Sequence, residues 1–245
     1  MRDYQRISRR VAELPVAMGD CVHLEHLGLG DHIVCNAITR DLCRSHPLVW
    51  MPVKRHNVAA VEFMFRDVTN LGVVPVCEAR DARWIARALK LRGCRYSGLG
   101  AYGEPPFDSS CFDREFYRQY GLSFEERWNG FHLMRDTRRE VPPPPQPYAF
   151  VHDDPNRGYV IDRQLVRAGL SVITNRTFDV PIVFDLGRLI ECADEVHCIN
   201  SSLMHWIEHL NPAGRLFWHH YARPDPTVMT LRQPWLRMDG PTSGR

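Results

Sequence analysis

Short apolar runs alternate along the chain with longer segments in which apolar residues recur every three to four positions. That alternation is the signature of strand–helix repetition in α/β folds. Residues 21–27 alternate like a strand and run into the glycines of LGLGD, after which Ile33, Val34, Ala37, Ile38 and Leu42 recur at helical spacing over 31–44. The chain therefore opens as strand, glycine turn and helix. Strands are predicted over 47–53 and 72–76, and helices over 58–65 and 79–91, whereas GLGAYGEPPF at 98–107 reads as a loop. The stretch 112–128, with aromatic residues set between charges, reads as partly helical with an aromatic packing face.

The pattern resumes beyond VPPPPQP, residues 141–147, a run that cannot be helical and has too few N–H donors to sit inside a sheet. Strands are expected over 148–154, 170–175, 195–199 and 215–221, with helices over 185–192 and 202–210. The Pro-rich tail after Arg223 reads as irregular and packed across both halves. The expected organisation is two α/β halves, 1–140 and 148–245, joined by a stiff extended linker at 141–147.

Composition narrows the class. The 245 residues are 44% hydrophobic and 24% charged, enough to bury a core in one large domain or two compact ones, which excludes a mainly disordered chain. No apolar run approaches the roughly 18–20 residues that cross a bilayer. The N-terminal stretch lacks the unbroken apolar segment of a secretory signal, so a cytoplasmic location is expected. Eight cysteines without a C-x-x-C pair read as mostly reduced core residues. Net charge is only +2, but all the basic residues except Lys54 and Lys90 are Arg, whose forked guanidinium suits phosphates and carboxylates. That small net charge does not itself indicate nucleic-acid binding, although DNA is not excluded as a partner.

Three segments combine turn chemistry with reactive side chains. In HLGLGDHIVCN, 26–36, Gly28 and Gly30 let the backbone approach a bound molecule beside Asp31 and His32. Ile33 stands where the third glycine of a dinucleotide fingerprint belongs, which demotes a nicotinamide-dependent oxidoreductase. In FVHDDPNRGY, 150–159, a strand ends at His152 and a turn presents Arg157 as a forked donor. Asp153 and Asp154 diverge in an extended segment, and no third carboxylate is spaced to complete a metal cage. In the third segment, Asn200, Ser201 and Ser202 expose donors and hydroxyls at a helix start, with His205 one turn further on. The plainer reading of both helix starts is N-capping, by Asp31 in one and by the NSS turn in the other.

Taken in chain order, the strand-GLGD-helix and strand-NSSLMH-helix corners resemble those of the heptosyltransferase-like glycosyltransferases, family 9, which have two Rossmann-like domains facing a cleft in the GT-B manner. The resemblance implies an N-terminal acceptor domain, a C-terminal donor-binding domain and an inverting, metal-independent transfer from a nucleotide-sugar co-substrate to a hydroxyl acceptor, with a glycan favoured. It implies Asp31 as catalytic base, with Gly28, Gly30, His32 and His152 lining the cleft. It further implies donor binding by Arg157, Asn200, Ser201, Ser202 and His205. The family's C-terminal motif reads approximately D-S-G-x-x-H, so Asn200 and Ser202 depart from it. Two alternatives stand beside this reading: transfer to a modified base in DNA, and a non-catalytic nucleotide-sugar-binding module in which Asp31 only caps a helix. No other cofactor is expected.

Overall fold

The computed structural model describes residues 11–227 and 229–240, which divide into two units between Met134 and Arg135. Each has its own parallel sheet. In the first, β1 (Cys21–Leu24), β2 (Val49–Lys54), β3 (Leu71–Val76) and β4 (Arg95–Gly98) lie in the order β3-β2-β1-β4. All three pairings are parallel. Because helices cover both faces, β1 and β2 are buried almost throughout, which explains why they read as near-continuous apolar runs.

Around this sheet run α1 (Leu29–Val34), α2 (Asn36–Ser45), α3 (Val58–Met64), α4 (Ala79–Leu91), α5 (Phe112–Tyr120) and α6 (Glu126–Asn129). One core cluster packs Ala82, Ile85, Ala86 and Leu89 of α4 against Val22, Leu24, Trp50 and Val74. Side chains the size of Ile85 and Leu89 contribute about 1.5–3 kcal/mol each by leaving water. The second cluster seats Ala37, Ile38 and Leu42 of α2 with Phe116 and Tyr117 of α5 against Cys21 and Val49. The aromatic stretch at 112–128 is thus a packing face: Phe112 and Phe116, Tyr117 and Phe124, and Phe124 and Trp128 meet edge to face.

The second unit pairs β5 (Tyr148–His152), β6 (Ser171–Thr174), β7 (Glu195–Cys198), β8 (Arg215–His219) and β9 (Leu236–Met238) in the order β6-β5-β7-β8-β9, again all parallel. Its helices are α7 (Gly187–Glu191) and α8 (Ser202–Ile207). The residues ahead of the proline run already belong here. Arg135 pairs with Glu140 and Glu191, Arg139 with Asp185, and Val141 N–H donates to the Asp185 carbonyl.

Two expectations are corrected, and one strand is added. The single helix read over 31–44 is two, beginning at Leu29 and interrupted at Cys35, whose ψ of 7° breaks the helical path. The stretch 95–98, where the sequence analysis placed no strand, holds β4, a half-exposed four-residue edge strand too short to show alternation. The tail is not wholly irregular, because β9 extends the second sheet. It is tied there by Glu208, whose carboxylate accepts from Arg232 N–H, Gln233 N–H and Trp235 Nε1. Among the described residues no helix is long and apolar enough to cross a membrane. Cys21, Cys35, Cys43, Cys94 and Cys198 are buried free thiols, whereas Cys77 and Cys192 are exposed.

Both sheets reverse their direction of growth once. In the first unit β2 and β3 are laid to one side of β1 and β4 to the other; in the second β6 lies on one side of β5 and β7 on the other. A reversal of this kind leaves a crevice at the C-terminal ends of the two strands flanking it, where parallel α/β sheets bind ligands.

Candidate functional site

In the first unit the crevice opens past Leu24 and Gly98, and the residues just beyond β1 fill it. Asp31 is the third residue of α1 and leans back towards the strand end, with Oδ1 3.8 Å from His26 Nδ1. Gly28 makes this possible, since a Cβ there would collide with Asp31 Oδ2. Gly30 lies within the first turn of α1 instead of ahead of it. Desolvation is the largest influence on Asp31 and raises its carboxyl pKa; His26 opposes the rise, Glu25 reinforces it and His32 opposes it. A carboxyl so raised, still partly open to solvent, is suited to accepting a proton.

Beneath it lies a wholly buried group of His23, Glu25 and His32. Glu25 is held by His32 Nδ1 at Oε1, and His23 Nε2 lies 3.3 Å from Oε2. Burial alone would raise the Glu25 pKa, but the two imidazoles outweigh it and hold the carboxyl at about 2. His23 also reaches across to β4, with Nδ1 3.3 Å from the Ser97 carbonyl and hydroxyl oxygens. The placement of His32 at a cleft is therefore corrected: its ring faces inward, where it anchors Glu25.

In the second unit the crevice lies between the ends of β5 and β7, where Ile199 N–H donates to the His152 carbonyl. Two of the segments singled out by sequence, the turn carrying Arg157 and the turn carrying Asn200 and Ser201, flank this one opening. Asp153 and Asp154 do diverge. Asp153 turns inward to accept from Arg163 and from Ile161 N–H, while Asp154 turns outward to Arg157 at 2.5 Å and Arg176 at 3.2 Å. The hydrogen bond from Arg157 holds the Asp154 carboxyl below its ordinary range. Burial drives the His152 imidazole down to about 4, so it is neutral at pH 7.

Ser201 is the N-cap of α8, its hydroxyl accepting from Met204 N–H, as the plainer reading expects. Ser202, half-buried, begins the helix, whereas His205 is almost wholly enclosed because every residue from Leu203 to Ile207 is buried. The Asn200 side-chain amide donates to Asp225 at 2.7 Å, and the Asn200 backbone carbonyl accepts from Arg223.

Four further residues at these openings were given no role by the sequence reading. His26 meets Asp31, and Arg176, Arg223 and Asp225 join the Arg157 and Asn200 turns. The Arg157 and Arg223 guanidinium groups both lie near the Tyr159 ring, at 5.5 and 5.4 Å from its centre. His26, Arg176 and Arg223 each fall within a few residues of a parallel strand's C-terminal end, and strand ends are the signal that would find them. No group of three or more His, Cys, Asp or Glu placed to hold a metal ion occurs among the described residues.

No protein-family model matches the chain, and no curated protein matches its sequence. Among solved structures, the bacterial iron-containing dodecameric glycosyltransferase TibC from enterotoxigenic E. coli H10407 is similar, with a TM-score of 0.52 and 11% identity. The match covers 89% of this chain and 61% of TibC, so the chain spans less than two thirds of that protein's length. The likeness is one of fold: a Rossmann-like α/β architecture shared with a glycosyltransferase.

Proposed function

We propose that the chain is a glycosyltransferase of the GT-B type, moving a sugar from a nucleotide-sugar donor to a hydroxyl acceptor with inversion at the anomeric carbon. One observation carries the reading: the two corners picked out by sequence each fall at the reversal point of a separate parallel sheet, one furnished with a carboxylate and the other with guanidinium groups. The fold it shares with a glycosyltransferase supports the same class.

In this mechanism Asp31 takes the proton of the attacking hydroxyl, and its raised pKa strengthens it as a base. Gly28 and Gly30 keep the approach open, and His152 sits neutral beside the donor. Arg157, with Arg223 nearby, stabilises the negative charge that develops on the departing nucleoside diphosphate. Ser201, Ser202 and the Asn200 turn supply polar contacts, and His205 supports their helix from within. A single displacement assisted by one base needs no enzymatic nucleophile, which is why inversion is expected.

The test begins with a thermal-shift screen across sugar nucleotides, because a ligand that binds only the folded state raises the melting temperature. With the stabilising donor in hand, Asp31→Asn should abolish transfer while donor binding persists. Unchanged turnover in that variant would remove Asp31 from the mechanism. Donor binding with neither hydrolysis nor transfer in the wild type would leave the non-catalytic binding module.

A further inference from the structure

His26 has no role in the mechanism above, yet its partly exposed ring is held by several neighbours. The Ala101 backbone N–H donates to Nε2 at 3.2 Å. The rings of Phe116, Phe107 and Tyr102 meet it edge-on, with centroids 5.1, 5.6 and 6.0 Å away. Gly100 lets this happen. Its φ of +62° is costly for residues with a side chain, and a Cβ there would run into His26 Nε2 and the Phe116 ring. The turn after β4 is thus shaped around one imidazole nitrogen.

The hydrogen bond from Ala101 decides the tautomer. A ring nitrogen that accepts a backbone N–H carries no proton, so in the neutral imidazole the proton sits on the other nitrogen. That other nitrogen is Nδ1, which faces Asp31 Oδ1 at 3.8 Å. We propose that His26 is a positioning residue: the Gly100–Tyr102 turn fixes it as the Nδ1–H tautomer, and this N–H steadies the ionised Asp31 carboxylate in the orientation that receives a proton. The inference rests on Asp31 being the base, but the tautomer and its effect on Asp31 are measurable without any substrate.

Other groups also face Asp31. Glu25, from the segment after β1, raises its pKa, while His32, from α1, lowers it; the turn after β4 brings the Ala101 N–H and the Tyr102 ring next to His26. The contribution of His26 is therefore separable by replacing it alone. His26→Phe keeps an aromatic ring in the Phe116–Phe107–Tyr102 box and removes both nitrogens.

Two measurements on the full chain test this. In the wild type, 15N spectra of the neutral His26 ring should show the Nδ1–H tautomer; the Nε2–H tautomer would overturn the proposal without any variant. In His26→Phe, the Asp31 carboxyl, followed by 13C titration, should move up. An unmoved Asp31 in a folded variant would overturn it. If transfer is established, the acidic limb of its pH profile should move up by the same amount in His26→Phe. Should His26 meet both spectroscopic expectations while Asp31→Asn remains fully active, the positioning would stand and the assignment of Asp31 as base would fall.

Discussion

His197 and His219 face each other across β7 and β8, with His197 Nδ1 2.8 Å from His219 Nε2 and both rings fully buried. Glu195 holds the far side of His197 at 3.2 Å, so Nε2 of His197 donates to the carboxylate and Nδ1 is left to accept from His219. Both imidazoles are neutral in this arrangement. Burial, the largest cause, lowers both, and His219, next to His197, falls from the ordinary 6.5 to about 4.

Acid sensitivity follows from that pair. The unfolded chain binds a proton near pH 6.5 while folded His219 waits until about 4, so between these values the unfolded state holds more protons. The stabilisation is complete above pH 6.5 and is lost as the pH falls towards 4, by a few kcal/mol at most. His152, also lowered to about 4, adds to the same slope. Denaturant midpoints measured from pH 7 to pH 4 should fall steadily, and His219→Gln should flatten part of the slope. A midpoint independent of pH across this range would show that these rings do not titrate as described.

The ion pair of Arg127 with Asp113, at 2.5 Å and fully enclosed, ties α6 to α5. Removing one partner takes away the opposite charge against which the other is buried, which costs about 3–5 kcal/mol. Arg127→Ala should therefore destabilise the chain by roughly that amount in urea unfolding. Replacing both residues with apolar ones of similar size should recover much of the loss, whereas a single variant of wild-type stability would contradict the enclosed geometry.

Glu208 governs the tail. Its carboxylate accepts from two backbone N–H groups and the Trp235 indole, so Glu208→Ala should release β9 from β8 while leaving the rest of the second sheet intact. Amide hydrogen exchange is the readout. Fast exchange over 232–239 with slow exchange retained in β5 and β7 is expected, and equal protection in both proteins would contradict the clasp.

What the sequence made legible depended on how local the cause was. The helix at Ala79–Leu91 matches its predicted range because its amphipathic pattern is long and its start is marked by a capping box between Glu78 and Asp81. Strands β1, β2 and β5 were visible as buried runs, within a few residues at their ends. By contrast β4 and β9 owe their existence to a neighbouring strand and a distant carboxylate, and four or three residues carry no period of their own. The site divided in the same way. Asp31 and Arg157 stand inside turn motifs that a reader can recognise, but His26 gains its meaning only from Gly100 and Ala101, more than seventy positions later. His32 was misplaced because helical spacing does not tell which side of a six-residue helix meets the sheet.

The central claim is that a nucleotide sugar binds at the reversal point of the second sheet. It is tested most directly by mapping amide chemical shifts of the full-length chain during titration with the sugar nucleotide that stabilises it best. The account predicts that the largest changes fall in 152–157 and 199–202, where the Arg157 and Ser201 turns flank one opening. Changes concentrated elsewhere in the chain, or none with any sugar nucleotide, would contradict it.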